Sequence, residues 1–314
     1  MNRDIDISVL VVTYNPDWIK LKNTLSSILI QKDVKFEIII SDDGSVDNNF
    51  DKIVLYFREK SFENYKLIGG ETNQGTVKNL IKGLEKVQGK YVKDISPGDL
   101  LYDENTLRFI VEETKKNEEI IYFGNAIYYS FENGDLQIYN VRNPRNVNIY
   151  KNKQNKKIQR NYLLRQDYIL GASFVVQTRI FLDYLLKIEN YVIYAEDCAF
   201  ICMIADGIFP SYMDNDIIWY EYGSGISTSK ESSWNKKILA DNKATFDLLR
   251  KEKIIPNYAY EINYSSSKIK RKVLSMIFDF SRVISKFHVN KSILSTRNLN
   301  QYEEDILKYL NGVV

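Results

Sequence analysis

Acidic side chains recur in this sequence at turns that interrupt apolar runs, where they could do chemistry. Asp42-Asp43-Gly44-Ser45 follows the run Phe36 to Ile40, Asp94 and Asp99 bracket Ser96-Pro97-Gly98, and Glu196-Asp197 lies in the opening of a helical pattern. Adjacent carboxylates that merely face each other raise one another's pKa, so such a pair makes sense facing a donor-rich or cationic ligand. The same residues also build ordinary structure: Asp-Gly-Ser is Asx-turn chemistry, and helix amino termini favour acids on electrostatic grounds alone. Asp94 could point to either side of its strand, because a one-residue change of register moves it to the other face.

The elements that must position these groups begin with Ile7, Val9, Leu10, Val11 and Val12, a run that reads as a strand buried on both faces. It ends at the turn Thr13-Tyr14-Asn15-Pro16. A helical pattern with Ile19, Leu21, Leu25, Ile28 and Leu29 follows, and the next strand delivers the Asp42-Asp43 turn to its carboxyl end. In open α/β sheets ligands bind beyond those ends. The alternation continues with a helix over 49–60, a strand over 65–68, the turn-rich loop Gly69 to Gly75 and a helix over 76–87 closed by Gly89. A half-buried strand over 90–95 and a helix over 107–116 come next. The expected class is therefore α/β, with a mostly parallel sheet flanked by helices.

Further on, Ile120 to Phe131 reads as a strand, and Asn143 to Arg160, Asn- and Lys-rich, as a mobile loop or linker. A strand over 171–176, helices over 179–188 and 194–204, and a strand over 217–222 follow. Past Thr228 only helical patterns remain, over 234–253, 267–286 and 301–310, which divides the chain into residues 1–228 and a helical carboxyl-terminal region, 229–314. The helix over 267–286 sets Ile269, Val273, Ile277, Phe280 and Ile284 on one face, with Lys268, Lys270, Arg271, Lys272, Arg282 and Lys286 around it. Packing that stripe on the rest of the chain is the plainer expectation; peripheral contact with anionic lipid is the alternative.

The chain has 314 residues, 44% of them hydrophobic, enough for one large domain plus an appendage or for two domains. A net charge of +2 argues against a general nucleic-acid binder. No apolar run reaches the roughly 18 residues of a membrane span, and MNRDIDIS runs straight into the first strand, leaving no room for a signal peptide. Cys198 and Cys202 are the only cysteines, which fits a reducing cytoplasm, and with the single histidine His288 remote from the motifs a His/Cys zinc site is not expected.

Taken together, the TYN turn, the DDGSVD turn, Asn73-Gln74-Gly75-Thr76-Val77-Lys78-Asn79, Gly89-Lys90-Tyr91-Val92 and Glu196-Asp197 resemble the family 2 glycosyltransferases over roughly Asp4 to Thr228. The resemblance implies a GT-A fold and an inverting, nucleotide-sugar-dependent transferase, most often using a UDP-sugar. It implies an acceptor such as a bacterial surface saccharide or lipid-linked oligosaccharide, met in the cytoplasm or on the inner face of the plasma membrane. Carried over, Thr13, Tyr14, Asn15, Asp42, Asp43, Asn73, Gly75, Lys78 and Asn79 would bind the nucleotide-sugar, Tyr14 packing on the base. Lys78 stands where arginine is usual, so it would hold phosphate as a point charge rather than a fork. At the family's D-x-D metal turn this chain reads Ser96-Pro97-Gly98-Asp99, which leaves Asp99 as the carboxylate for Mg²⁺ or Mn²⁺; one carboxylate with diphosphate oxygens and water can hold Mg²⁺. Asp197 would be the general base and Glu196 an acceptor-side helper. Gly223-Ser224-Gly225-Ile226-Ser227 resembles the loop that closes over the diphosphate, without the histidine many relatives carry. Two rival readings are a non-catalytic carbohydrate- or partner-binding subunit, favoured by the reduced metal turn, and a nucleotidyltransferase, which would want a basic, glycine-rich triphosphate loop where Thr13-Tyr14-Asn15-Pro16 stands.

Overall fold

The computed structural model describes residues 5–132, 135–141, 143–223, 232–280 and 299–313. Its first half alternates as expected: β1 (Ile7–Thr13), α1 (Trp18–Leu29), β2 (Phe36–Asp42), α2 (Phe50–Glu59), β3 (Tyr65–Gly69), α3 (Thr76–Leu84) and β4 (Tyr91–Ile95). The two-residue β5 (Leu100–Leu101) and α4 (Thr106–Asn117) precede the long β6 (Ile121–Glu132) and its hairpin partner β7 (Asp135–Tyr139). Short helices α5 (Asn148–Lys151) and α6 (Asn155–Arg160) lead through a π turn to a 3₁₀ turn at Gly171–Ser173, then β8 (Phe174–Gln177), α7 (Thr178–Ile188), α8 (Cys198–Ala205) and β9 (Ser211–Glu221). Four helices close the described chain: α9 (Ser232–Lys251), α10 (Asn257–Tyr264), α11 (Lys268–Phe278) and α12 (Leu299–Val313).

One sheet runs β3-β2-β1-β4-β8-β6-β9-β5, with β7 on β6. β3, β2, β1 and β4 are parallel, as are β6 and β9, whereas β8 is antiparallel to both of its neighbours. Inserting one reversed strand leaves β1, β2, β3, β4, β6 and β9 all ending at the same edge, and brings the turn that precedes β8 to that edge as well.

Alternation along the strands supplies two cores. Leu10, Ile39 and Val92 point to a layer formed with α3, α7 and α8. Val9, Val11, Ile38, Ile40, Tyr91 and Ile95 point to the other, formed with α1, α2 and α4. Asp94 shares the face of Val92, and so looks toward the α8 layer. Lys93, on the opposite face, is fully buried. β4 is thus covered on both sides rather than half-buried, because it sits mid-sheet with helices above and below.

Other departures have local causes. Over 143–160 the structure is helical, not a free linker: its few apolar residues Val147, Ile149, Tyr150 and Ile158 are all buried and pin α5 and α6. α3 ends at Leu84, and Gly89 instead lies against β1, where a Cβ would come 2.7 Å from Ser8 Oγ. The 267–286 pattern gives a helix only to Phe278, and its apolar stripe is exposed rather than packed. Residues 281–286 and Ser224–Thr228, the latter most of the expected diphosphate loop, lie outside the described residues. No helix of the described residues is long and apolar enough to cross a membrane.

Candidate active site

Register places Thr13, Asp42 and Gly69 side by side at the carboxyl edge, with Ile95 paired to Val11. Beneath the edge lies a buried polar frame. Thr13 Oγ1 donates to Asp42 Oδ2 at 2.9 Å, and the backbone N–H of Ser45 donates to Asp42 Oδ1 at 2.8 Å. Asn79 Nδ2 donates to the Ser41 carbonyl at 2.9 Å, while Ser41 Oγ donates to Asn79 Oδ1 at 2.6 Å. Thr13, Asp42 and Asn79, expected among the donor-binding residues, are buried and hold β1, β2 and α3 together. Leaving such groups unpaired would cost more than the bonds return, which is why their partners are internal.

Above that frame, Tyr14 is 53% exposed, so its ring is on the surface of the turn and not in the core. Asn15, with φ 44°, donates its N–H to Ser45 Oγ and accepts from Val46 N, joining the two motif turns. Asp43 Oδ1 and Oδ2 accept the N–H groups of Gln74 and Gly75 at 2.9 and 2.8 Å. Burial nonetheless raises its pKa, with those bonds and Lys82 opposing. Asn73 Oδ1 also accepts from Gly75 N. Lys78 is exposed. The lysine at the motif turn is Lys82, which motif matching overlooked: its Nζ is 3.4 Å from where a Cβ on Gly70 would stand.

Gly75 joins this half to the second. Its φ is +92°, a Cβ there would sit 2.4 Å from Ile193 Cγ2, and Val77 N–H donates to the Ile193 carbonyl. Ile193 begins the segment that carries Glu196 and Asp197. That segment is held by Asp241 of α9, whose buried Oδ2 accepts the N–H groups of Ile193, Tyr194 and Ala195 at 3.3, 2.7 and 2.9 Å. Asp241 was absent from the sequence reading, since nothing in its surroundings in the chain marks it out.

Asp197 is the residue from which α8 springs, and its side chain makes no capping bond. Its Oδ1 is buried without a partner, 2.2 Å from where a Cβ on Gly171 would be. Burial, and then the Asp94 carboxylate, push its pKa up to about 7. Burial and the neighbouring Asp197 push Glu196 well above the carboxylate range. The two carboxyls are adjacent and titrate as neighbours, both held above the ordinary carboxylate range by burial.

Asp99 feels the charge of Asp94 as well. Its Oδ1 accepts Glu221 N–H at 2.9 Å, and Thr24 Oγ1 holds the turn through the Asp99 carbonyl. Burial raises Asp99 to about 8, with Lys93 opposing. Lys93 Nζ donates to the carbonyls of Asp94 and Ala172 at 2.5 and 2.6 Å. Gly98, at φ +102°, could not carry a Cβ, which would meet Glu221 Oε2 at 2.1 Å; that carboxylate pairs with Lys20 at 2.6 Å.

Among the described residues no group of three or more His, Cys, Asp or Glu side chains is arranged to hold a metal ion. A divalent cation would have to be held in the sparse manner of Mg²⁺, by Asp99 with phosphate and water completing the shell. A cleft of about 290 Å³ lined by Ile120, Lys153, Gly207, Pro210 and Ser211 lies at the opposite edge of the sheet, where β9 begins, away from these carboxylates.

A parallel half-sheet with acidic turns at its carboxyl edge, completed by an acidic helix start, defines an α/β domain with its carboxylates at one edge of the sheet. The model of glycosyl transferase family 2 matches residues 8–182, and the chain belongs to that family of glycosyltransferases. It is 31% identical over 114 residues to a poly-beta-1,6-N-acetyl-D-glucosamine synthase of Staphylococcus epidermidis, a stretch that is 36% of this chain and 26% of that protein. It is 35% identical over 94 residues, 30% of this chain and 36% of the relative, to a putative teichuronic acid biosynthesis glycosyltransferase, TuaG, of Bacillus subtilis. The match thus spans about a quarter to a third of these relatives' lengths. Among solved structures, residues 1–349 of Staphylococcus aureus TarS in complex with UDP-GlcNAc superpose with a TM-score of 0.52 at 16% identity, covering 98% of this chain and 83% of that one.

Proposed function

We propose that this chain is an inverting transferase that moves a sugar from a UDP-sugar to a hydroxyl of a saccharide acceptor in the synthesis of a surface polysaccharide. The observation that carries this reading is Asp197: a buried carboxylate oxygen with no partner, in a group poised near pH 7 at the carboxyl edge of the sheet. A general base needs that pKa and a free lone pair aimed at an incoming hydroxyl. The UDP-GlcNAc complex of TarS and the names of the relatives support the donor class.

In this scheme Tyr14 packs on the base, with Asn15 and Asp43 at its edge, and Lys82 and Lys78 face the diphosphate. Asp197 takes the proton of the acceptor hydroxyl as that oxygen attacks the anomeric carbon from the side opposite the leaving group. Glu196, protonated, donates a hydrogen bond to the acceptor. A divalent cation held by Asp99 would supply charge neutralisation for the departing diphosphate. Lys93, buried beneath the turn, opposes through its charge the upward shifts of Asp94 and Asp99. Residues 1–228 would carry this chemistry, with 229–314 as a supporting helical region that contributes Asp241.

Release of UDP from a panel of UDP-sugars, with and without Mn²⁺ or Mg²⁺, tests the reading. Asp197→Asn should lower turnover by about a hundredfold or more, the usual weight of a positioned base. Asp99→Ala should remove the metal response. Turnover unchanged in both variants would defeat the assignment. A non-catalytic carbohydrate-binding subunit is the second reading, favoured by the single carboxylate of the Ser96-Pro97-Gly98-Asp99 turn; donor binding without turnover by any acceptor would support it.

A further inference from the structure

Helix α11 is amphipathic in the inverted sense. Its inward side carries the buried Ser275, whose Oγ donates to the Arg271 carbonyl, and the chain just past its end carries Asp279, 2% exposed. The Asp279 carboxylate accepts from Arg165 Nε and Nη2, both at 2.7 Å, so a buried ion pair fastens the helix end to the body. Tyr258 of α10 stacks on Phe278 at 4.0 Å between ring centroids. The outward side is apolar: Ile269 is 78% exposed, Ile277 65%, Val273 47% and Met276 43%. At 3.6 residues per turn these side chains span an arc of about 100°. Lys272 and Lys270 stand on its two flanks, Lys270 also pairing with Glu261 of α10 at 3.1 Å, Lys268 is exposed at the helix start, and the helix itself contains no acid.

An apolar strip of this width left in water is unfavourable, and among the described residues nothing covers it. We propose that this face of α11 docks on an anionic lipid surface, lying flat with the strip in the headgroup boundary. Lysine stems on both flanks can run along the apolar layer while their ammonium groups stay among the phosphates. A second copy of the chain fits less well, because a two-fold contact through the strip would bring the flanking lysines of both copies together. The Arg165–Asp279 pair fixes the docked helix to the body, so lipid would hold the molecule in one orientation. The inference stands apart from the assignments of donor and base.

Co-sedimentation with phosphatidylcholine vesicles, with and without phosphatidylglycerol, tests it on the full chain. Binding is expected only with phosphatidylglycerol and should weaken with salt. It should fall about tenfold or more in Val273→Ser/Ile277→Ser and in Lys268→Gln/Lys272→Gln. All four residues are exposed, so an unchanged thermal midpoint and UDP release should accompany the loss; should the serine pair fail to fold, the lysine pair and the salt series decide. No binding by the unaltered protein, or equal binding by the variants, would overturn the proposal. So would a concentration-dependent dimer in sedimentation velocity that Val273→Ser/Ile277→Ser dissolves, which would assign the face to a second copy.

Discussion

Replacing Asp94 with asparagine should shift the pH at which the enzyme switches on. Under the proposed role of Asp197 as base, a pKa of about 7 would leave about a tenth of the molecules with an active base at pH 6, a half at pH 7 and nine tenths at pH 8. Two causes hold that pKa up, burial first and the Asp94 carboxylate second. Asp94→Asn removes the second and keeps the first, so the midpoint must fall. A neighbouring carboxylate contributes on the order of one pKa unit, about 1.4 kcal/mol. A fall of that size would lift the pH 6 rate from about a tenth to about a half of its plateau, roughly a fivefold gain in relative rate. The assay is UDP release under saturating donor between pH 5.5 and 8.5, comparing profile shape rather than height, since Asp94 also adjoins Lys93. A midpoint that does not move, or a flat profile in the unaltered enzyme, would refute the coupling of Asp94 to the base.

Stability should follow a related logic at Asp99. Its folded pKa, about 8, lies above the ordinary 3.8, so the stability it contributes is complete below about pH 4 and is lost as pH rises toward 8 and beyond. Asp99→Asn keeps an acceptor for Glu221 N–H and should raise the thermal midpoint at pH 9 more than at pH 5, while abolishing stabilisation by Mn²⁺ with UDP; a lower midpoint at pH 9 would count against it. Asp241→Ala should leave three N–H groups without their acceptor, costing about 2–3 kcal/mol by denaturant unfolding and lowering kcat more than donor affinity. Gly75→Ala, with φ +92° and the 2.4 Å approach to Ile193, should cost at least about 1–3 kcal/mol and weaken donor binding measured by calorimetry. Retention of full stability in either variant would show that the two loops are not joined as described.

The half-sheet was readable because β1 and β2 are short apolar runs, and β4 an alternating one, each broken by turn residues, and local pattern determines such elements. The order of the remaining strands was not, since the reversal of β8 depends on contacts with β4 and β6 far away in the chain. Motif spacing picked out the turns that carry Asp43, Asp99 and Asp197, but it could not tell ligand-facing groups from supports. Asp42 and Asn79 look like binding residues in a motif and prove to be committed to Thr13, Ser41 and Ser45. Asp94 was a register problem, which the placing of Val92 in one core and of Tyr91 and Ile95 in the other resolves. The outward stripe of α11 reads as a core face by periodicity, because the 3.6-residue repeat marks that a face is apolar and not which way it turns.

The bond from Asp241 to the segment ahead of Asp197 reaches from α9 back into the catalytic body. Trimming the protein after residue 231 would therefore not liberate a minimal catalyst, even though most acidic groups would remain. Under the proposed roles, what would survive is a sugar-nucleotide cradle whose proton acceptor had lost its brace, so shortened versions should grip the donor better than they spend it.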